Sequence, residues 1–508
     1  MNWLDWLVVF TYLIGIAVVG IYSGRDEKTS TDYILGGRAF GWIPILFSIV
    51  ATETSALTFV GVPATGYTSN WTYLQLVVGA IVGRIILAFV FIPVYYKHQV
   101  FTVYQYLRDR FGTCSYMAST VLFLITRLMA SGVRLYAGSI IVAYALDVQP
   151  GAAIVIVTIF AAAYTYTGGL KAVIWTDVLQ GILFLGGALG CVAYIIHGVG
   201  DAGWAYAQSD EMLSKLRVFN FSWNEAEGFY FWQGLFGMTF LCLATHGTDQ
   251  DLTQRMLAAS DHTKSQRALV FSGLLDVPIV VMFLALGYWL KVHYHVFPDP
   301  NLPEKAKEIF PYFIVHVLPH GIGGLLVACV LAAAMSSLDS ALNALGSTFA
   351  LDVYCPLRRS WNRICVHDLE RRGRFDEARD LEASGVAAVA DESNLVRITR
   401  MAVLLFALVL TGVAILSQHV DKILFFGLEI LTYTYGAMLG VFLLGLLTPW
   451  GKDRTNMIAM ACGLATPWVM KSMYSSSDEL WVWNIMFASL VTFAVGAILG
   501  QKPEVVEP

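Results

Sequence analysis

The chain has 508 residues, of which 57% are hydrophobic and 14% charged, with a mean hydropathy of +0.63 and a formal net charge of -5. Soluble domains carry about 25% charged residues, so this composition excludes an ordinary soluble globular protein and indicates a polytopic membrane protein. The small net charge is spread over loops, which argues against an acidic tail or a nucleic-acid-binding surface. Seven cysteines without paired spacing argue against a disulfide framework or a zinc site.

Apolar stretches of about 20 residues, the length needed to cross a bilayer, recur near residues 4–22, 42–66, 73–96, 115–146, 150–166, 173–197, 229–257, 267–291, 321–352, 398–417, 421–449, 455–473 and 479–499. The expected fold is all-α, a polytopic membrane protein of about 13 transmembrane helices. The first span opens with acidic Asp5 and is long enough to cross, so it reads as a retained helix and not a cleaved signal peptide. An external N-terminus places Arg25, Lys28, Arg38, Lys97, Arg108, Arg110, Lys171, Lys264, Arg267, the arginine-rich stretch 358–400, Lys452, Arg454 and Lys502 on the cytoplasmic side, as the positive-inside rule asks. The expected location is the plasma (inner) membrane, with the C-terminus in the cytoplasm. Trp71, Trp204, Trp223, Trp450 and Trp481 fall near span ends, where aromatic rings anchor among headgroups.

The second span, Ser48-Ile-Val-Ala-Thr-Glu-Thr-Ser-Ala-Leu-Thr-Phe-Val-Gly-Val-Pro63, sets Glu53, Thr54, Ser55 and Thr58 among apolar residues, with Gly61 and Pro63 just after. Pro lacks a backbone N–H and Gly weakens a helix. The pattern predicts a discontinuous helix whose carbonyls around Ala51 to Thr54 are freed to ligate a cation. Arg84, Arg127, Arg134 and Asp276 are further ionisable residues at membrane depth and therefore functional candidates, Arg84 and Arg127 equally as partners for a carboxylate. Arg134, in Ala130-Ser-Gly-Val-Arg-Leu-Tyr136, carries a planar fork suited to an anionic solute or to a structural ion pair.

The sixth span opens Thr167-Gly-Gly-Leu-Lys-Ala-Val-Ile-Trp-Thr-Asp-Val-Leu-Gln180. Its Asp177 reads either as an oxygen ligand for a hard cation or as a charge favoured at a helix start. The seventh span has a second interruption, Ala244-Thr-His-Gly-Thr-Asp-Gln-Asp-Leu-Thr-Gln-Arg255, about 190 residues after the first. Two interrupted helices in corresponding positions of two halves point to a transporter's midplane site. His246 in this break reads as a satisfied core histidine, with a proton-linked role as the alternative.

The ninth span contains Leu331-Ala-Ala-Ala-Met-Ser-Ser-Leu-Asp-Ser-Ala-Leu-Asn343. At helical spacing Ser336, Ser340, Asn343 and Ser347 form one stripe, with Asp339 beside Ser340. A carboxylate at that depth must look onto protein, water or a cation, whereas Asn343 and Ser347 suit contacts between helices. Residues 355–397, which include Glu370-Arg-Arg-Gly-Arg-Phe-Asp-Glu-Ala-Arg-Asp-Leu-Glu382, form a charged insertion that reads as a solvated helical hairpin. No Walker A or kinase sequence follows any span, so the expected driving force is an ion gradient.

Three of these stretches, Thr167 to Gln180, Asp249 to Arg255 and Ala333 to Asn343, resemble the sodium:solute symporter family of sodium/glucose, proline, sialic acid, monocarboxylate and iodide carriers. The likeness runs through nearly all of the chain. It implies a LeuT-like core of two inverted five-helix repeats with two discontinuous helices. The divisions would be an extra N-terminal helix and loop (1–41), a first repeat (42–228), a second repeat (229–450) with the 355–397 insertion, and two C-terminal helices with a tail (451–508). It implies Na+ bound by backbone oxygens of Ala51, Thr54 and Ala333 and by the hydroxyls of Ser336 and Ser337. A second sodium site would use Asp177, Ser336, Asp339 and Ser340, although this chain has Asp339 where the sialic acid type carries Ser. The solute would lie between the breaks, against Glu53, Ser55, Thr58, Tyr73, Gln75, Arg134, Thr245, His246, Gln250 and Tyr433, with Glu53 alternatively serving the ion. The sodium/galactose pattern is not kept: its polar pair falls on Leu57 and Thr58, its gate tyrosine on Thr245 and its lysine on Leu274, and only Gln250 remains.

The expected activity is sodium-driven symport of a small organic solute by alternating access, without covalent chemistry and so not an enzyme. The intramembrane arginines and the lost sugar pattern favour a carboxylate-bearing or zwitterionic solute. The alternatives are sodium/sugar or polyol symport, proton-coupled symport through Glu53, Asp177, Asp339 or His246, and a passive channel, which would carry a repeated filter or charged ring. Expected partners are the solute, sodium and the lipid bilayer, with no nucleic acid or nucleotide.

Overall fold

The computed structural model describes residues 2–25, 29–146, 148–223, 229–371, 374–376, 379, 392–418, 423–473 and 481–500. Regular structure among them is helical, apart from a single bridge between Phe40 and Ala259. Helices occupy every stretch expected to span. Eight are long and apolar enough on their own to cross a membrane, or nine with the bent pair at residues 42–68. The expected spans 150–166 and 173–197 run together as Pro150–Gly198, turned at Gly169 (φ 48°, ψ −151°), a conformation that glycine adopts at little cost. Of the 355–397 insertion, Cys355–Arg371 is helical. Most of residues 372–391, where the hairpin was expected, lie outside the described residues.

The helix Ile322–Thr348 is the axis of the molecule. In its most apolar window 94% of residues are buried, against 28% for the first helix, Trp3–Ser23. Its polar residues therefore face protein and not lipid. On Trp3–Ser23 the exposed Leu4, Leu7, Phe10, Ile14, Val18 and Ile21 recur every three or four residues, while Val9, Leu13, Ile16 and Gly20 turn inward, the pattern of a helix with one face in lipid. The two helices are joined at one end by Asp5, whose Oδ1 accepts from the N–H groups of Gly321 (2.6 Å) and Gly324 (3.0 Å). Those are orphan donors at the start of Ile322–Thr348, so one helix supplies the cap of another. A Cβ on Gly324 would stand 2.4 Å from Asp5 Cα, which is why the approach requires glycine there.

The first discontinuous helix consists of Trp42–Glu53 and Ala56–Thr68, bent by 64°. The break falls at Thr54 (ψ 77°) and Ser55 (ψ 172°), upstream of Gly61 and Pro63. That corrects the expected cause: Pro63 is accommodated inside the second half, and the break is made by two short hydroxyl residues, a residue class that competes for backbone hydrogen bonds. The second discontinuous helix consists of Met238–Gly247 and Gln250–Leu257, separated by Thr248 and Asp249. Asp249 Oδ1 accepts from Asp251 N–H at 2.9 Å and caps the second half. The lower end of this pair is tied to the first by Phe40, whose N–H donates to Ala258 and whose carbonyl accepts from Ser260.

Candidate functional site

The two breaks differ in what becomes of their carbonyls. At the first, Ser55 N–H turns to Glu53 carbonyl (2.9 Å) and Thr54 N–H closes on Val50, so the carbonyls of Ala51 and Thr54 accept no hydrogen bond among the described residues. At the second, Tyr95 Oη donates to Gly247 carbonyl at 2.5 Å and Tyr104 Oη to Thr248 carbonyl at 3.0 Å. Both tyrosines are fully buried. The first break is left with free oxygens; the second is closed by protein donors.

Against the first break lies the polar stripe of Ile322–Thr348. Ser337 Oγ reaches Thr52 carbonyl at 3.5 Å and Ala333 carbonyl at 3.3 Å, and Ser340 Oγ stands 3.4 Å from Thr52 Oγ1. Ser336 Oγ donates to Asp177 Oδ1 at 2.5 Å, which leaves its own lone pairs available. Ser337 and Ser340 thus meet the first break at Thr52, between Ala51 and Thr54 in the chain, and Ala51, Thr54, Ala333, Ser336 and Ser337 are all buried. Oxygen donors of this kind, carbonyl and hydroxyl with one carboxylate behind them, suit a hard monovalent cation.

Asp177, Asp339 and Ser340 also come together, around Arg255, which the sequence motifs leave without a role. Arg255 donates from Nε to Ser48 Oγ (2.9 Å), from Nη1 to the carbonyl (2.5 Å) and Oδ1 (3.0 Å) of Asp251, and from Nη2 to Asp177 Oδ2 (3.2 Å) and Ser340 Oγ. Its donors are fully used. Ser48 Oγ also donates to Asp177 Oδ2 at 2.5 Å. Asp339 accepts from Tyr164 Oη at 2.5 Å and from Ser340 Oγ at 3.2 Å. The network continues outward: Asp251 and Asp249 both pair with Arg127, at 3.0 Å for Arg127 Nη1 to Asp249 Oδ2, and Tyr435 Oη donates to Asp249. The i, i+4 spacing of Asp251 and Arg255 was the available signal for this cluster.

A second ionic group gathers several of the residues expected to meet the solute. Arg84 bonds both Glu53 oxygens at 2.6 Å and Asp276 Oδ2 at 2.5 Å, and His246 Nε2 lies 2.6 Å from Glu53 Oε1. His246 Nδ1 lies 2.9 Å from Thr245 Oγ1. Glu53 is therefore held between a guanidinium and an imidazole at the edge of the first break, with Thr58 Oγ1 3.5 Å from its carbonyl. Ser55 is buried in the break itself.

Gln75 and Gln250 are occupied elsewhere. Gln75 donates to Phe229 carbonyl (2.7 Å) and accepts from Asn220 N–H (3.1 Å), while Gln250 donates to Phe101 carbonyl (2.9 Å) and accepts from Val103 N–H (3.0 Å). Each pins a loop by both ends of its amide, so the geometry does not present either to a solute. Tyr73 packs edge-on against Phe229, and Tyr433 lies tilted by 43° against Trp468. Arg134 differs from the other intramembrane arginines. Arg84, Arg127 and Arg255 are all ion-paired, whereas Arg134 is half-buried and makes no hydrogen bond or ion pair among the described residues. Its charged and phenolic neighbours are Arg127, Tyr435, Asp249 and Glu53.

The profile of the sodium:solute symporter family matches residues 33–364. The chain is 31% identical over 369 residues to the sodium/sialic acid symporter SiaT of Proteus mirabilis, covering 71% of this chain and 73% of that one. It is 26% identical over 481 residues to the human sodium-coupled monocarboxylate transporter 1, covering 91% and 72% respectively. Among solved structures, a substrate-bound, outward-open Na+-coupled sialic acid symporter superposes with a TM-score of 0.83 at 23% identity, over 99% of this chain and 100% of that one. Mhp1, a nucleobase-cation-symport-1 transporter, superposes with a TM-score of 0.56 at 14% identity, covering 92% and 94%. These likenesses in shape establish a LeuT-like fold built around two discontinuous helices. The chain belongs to the sodium:solute symporter family, as an integral membrane protein that couples sodium to the transport of a small organic solute.

Proposed function

We propose that the transported solute carries a carboxylate and that Arg134 receives it. The observation that carries this reading is the contrast just described: of the guanidiniums at membrane depth, Arg134 alone has no partner among the described residues. A guanidinium at membrane depth without a counter-ion is costly, and a carboxylate would satisfy it with two parallel hydrogen bonds. Relatives named for sialic acid and for monocarboxylates carry solutes of that chemistry.

Sodium would sit between the free carbonyls of Ala51 and Thr54 and the Ala333, Ser336 and Ser337 side of Ile322–Thr348, joining the first break to the central helix. Three buried carboxylates, Asp177, Asp249 and Asp251, share the Arg127 and Arg255 guanidiniums in the adjoining network, and the one negative charge left over favours a cation beside it. Solute and ion then stabilise one conformation, so each raises the other's affinity by the same factor. With the N-terminus outside, an inward-negative potential adds about 2.3 kcal/mol per charge per 100 mV. The inverted repeats would run from 42 to 228 and from 229 to 450. No residue is assigned a covalent step, so the protein is read as a carrier and not an enzyme.

The test is a thermal-shift screen of purified protein against sugars, sialic acids, amino acids and monocarboxylates, with and without sodium. Sodium-dependent stabilisation by carboxylates is expected, and Arg134→Gln should weaken it roughly 10- to 100-fold, the worth of a charged hydrogen bond. Stabilisation by a neutral hexose alone would overturn the proposal.

A further inference from the structure

We propose that the crevice between the end of the first helix and the Lys171–Leu179 stretch binds the phosphate headgroup of an anionic phospholipid. The crevice has a volume of about 540 Å³ and is walled by Val19, Tyr22, Arg25, Lys171, Trp175 and Leu179. Two cations and two aromatic rings therefore stand over an apolar floor.

Its level in the membrane follows from the chain. Arg25 comes two residues after Ser23, where the apolar helix Trp3–Ser23 ends. Lys171 comes two residues after Gly169, where two expected spans meet. Both cations thus belong to one membrane surface. Gly24 and Gly168 are pressed together beside them, since a Cβ on Gly24 would stand 2.0 Å from Gly168 Cα. Tyr22 and Trp175 are 68% and 41% exposed, although each is a large ring, as expected of aromatic groups placed at headgroup depth. The Arg25 guanidinium lies 5.5 Å from the Tyr22 ring centroid, which holds that cation at the rim. Lys171 is half-buried and makes no ion pair among the described residues. Asp26 and Glu27, which follow Arg25, lie outside the described residues.

A soluble anion would be served by the charges alone; the apolar part of the site indicates a lipid. Trp175, Leu179 and Ile182 are exposed at i, i+4 and i+7 on one helix, a stripe that leads from the crevice toward the bilayer interior. On the first helix Val18, one turn before Tyr22, is exposed as well. A headgroup held by Lys171 and Arg25 would lay its acyl chains along these residues, and polybasic interfacial sites favour anionic lipids in this manner. Trp175 lies two residues before Asp177, so a bound lipid would brace the helix that carries a carboxylate of the ionic network against the first helix.

The experiment uses the full chain in detergent, with thermal stability and native mass spectrometry as readouts. Phosphatidylglycerol should raise the melting temperature more than phosphatidylcholine and should be retained as a bound lipid, whereas glycerol 3-phosphate at equal concentration should do neither. The double variant Arg25→Gln/Lys171→Gln should lose at least half of the phosphatidylglycerol-specific shift and the retained lipid. Arg25→Lys/Lys171→Arg, which keeps both charges, should retain them and so serves as the control for folding. Full phosphatidylglycerol preference in the charge-removed variant would overturn the proposal. So would equal stabilisation by glycerol 3-phosphate, which would reassign the crevice to a soluble anion.

Discussion

Arg255 Nη2 lies 3.2 Å from Asp177 Oδ2, so a guanidinium from the second discontinuous helix stands at the carboxylate that sequence alone offered to a second cation. Both groups are fully buried. Removing one partner of such a pair costs about 3 to 5 kcal/mol because the other is left uncompensated. Arg255→Met should therefore lower the melting temperature sharply and abolish uptake. Arg255→Met with Asp177→Asn should recover part of the stability. A double variant no more stable than the sum of its parts would show that the two groups are not coupled.

Ser337 and Ser347 lie on the same helix, but only Ser337 faces the first break. Ser347 Oγ bonds the carbonyls of Asn343 and Ala344 in its own helix. Ser337→Ala should raise the sodium concentration for half-maximal uptake roughly tenfold, equivalent to about 1.4 kcal/mol, while Ser347→Ala should leave it nearly unchanged. Equal effects in sodium-titrated uptake would count against the proposed sodium site.

Both oxygens of Asp339 are engaged, one by Tyr164 and the other by Ser340. It is therefore expected to shape the field at the ionic network and not to ligate an ion. Asp339→Ser should weaken sodium activation without altering the sodium-to-solute ratio. A ratio that falls by one on reconstitution in vesicles would identify Asp339 as the ligand of a second cation.

The tyrosine hydroxyls at the second break can be removed singly. Tyr104→Phe leaves Thr248 carbonyl without its donor in a buried place, a loss of about 1 to 3 kcal/mol. The variant should be less stable in a denaturation series. Tyr95→Phe should act alike through Gly247.

Asp5 caps the central helix from outside it, so Asp5→Ala should cost about 1 kcal/mol and lower thermal stability. The capped Gly324 precedes Ser336 by about three turns of the helix Ile322–Thr348, so no change in sodium half-saturation is expected. A shift in sodium affinity would show that the first helix takes part in ion binding.

Much of this architecture was legible in the residues. Apolar length, the run of polar groups from Ser336 to Ser340 and the two interruptions are local properties, because backbone satisfaction in lipid constrains each segment by itself. The first interruption has a different cause from the one its sequence suggests: Gly61 and Pro63 are the conspicuous helix breakers, yet the chain turns at Thr54 and Ser55. Side-chain roles were less legible still. Gln75 and Gln250 read as solute contacts but hold loops, because an amide is claimed by whichever backbone groups folding brings near.

Residue order is enough to identify an all-helical membrane protein of a sodium-coupled family, with oxygen-rich residues in two discontinuous helices and one central helix. Which charges neutralise one another is settled by folding. Arg255 meets Ser48 across 207 positions and Asp177 across 78, and Arg84 meets Asp276 across 192. Ionic pairing at membrane depth is set by distance and burial in three dimensions. No window of sequence contains that information, and so only the fold separates Arg134, without a partner among the described residues, from its paired neighbours.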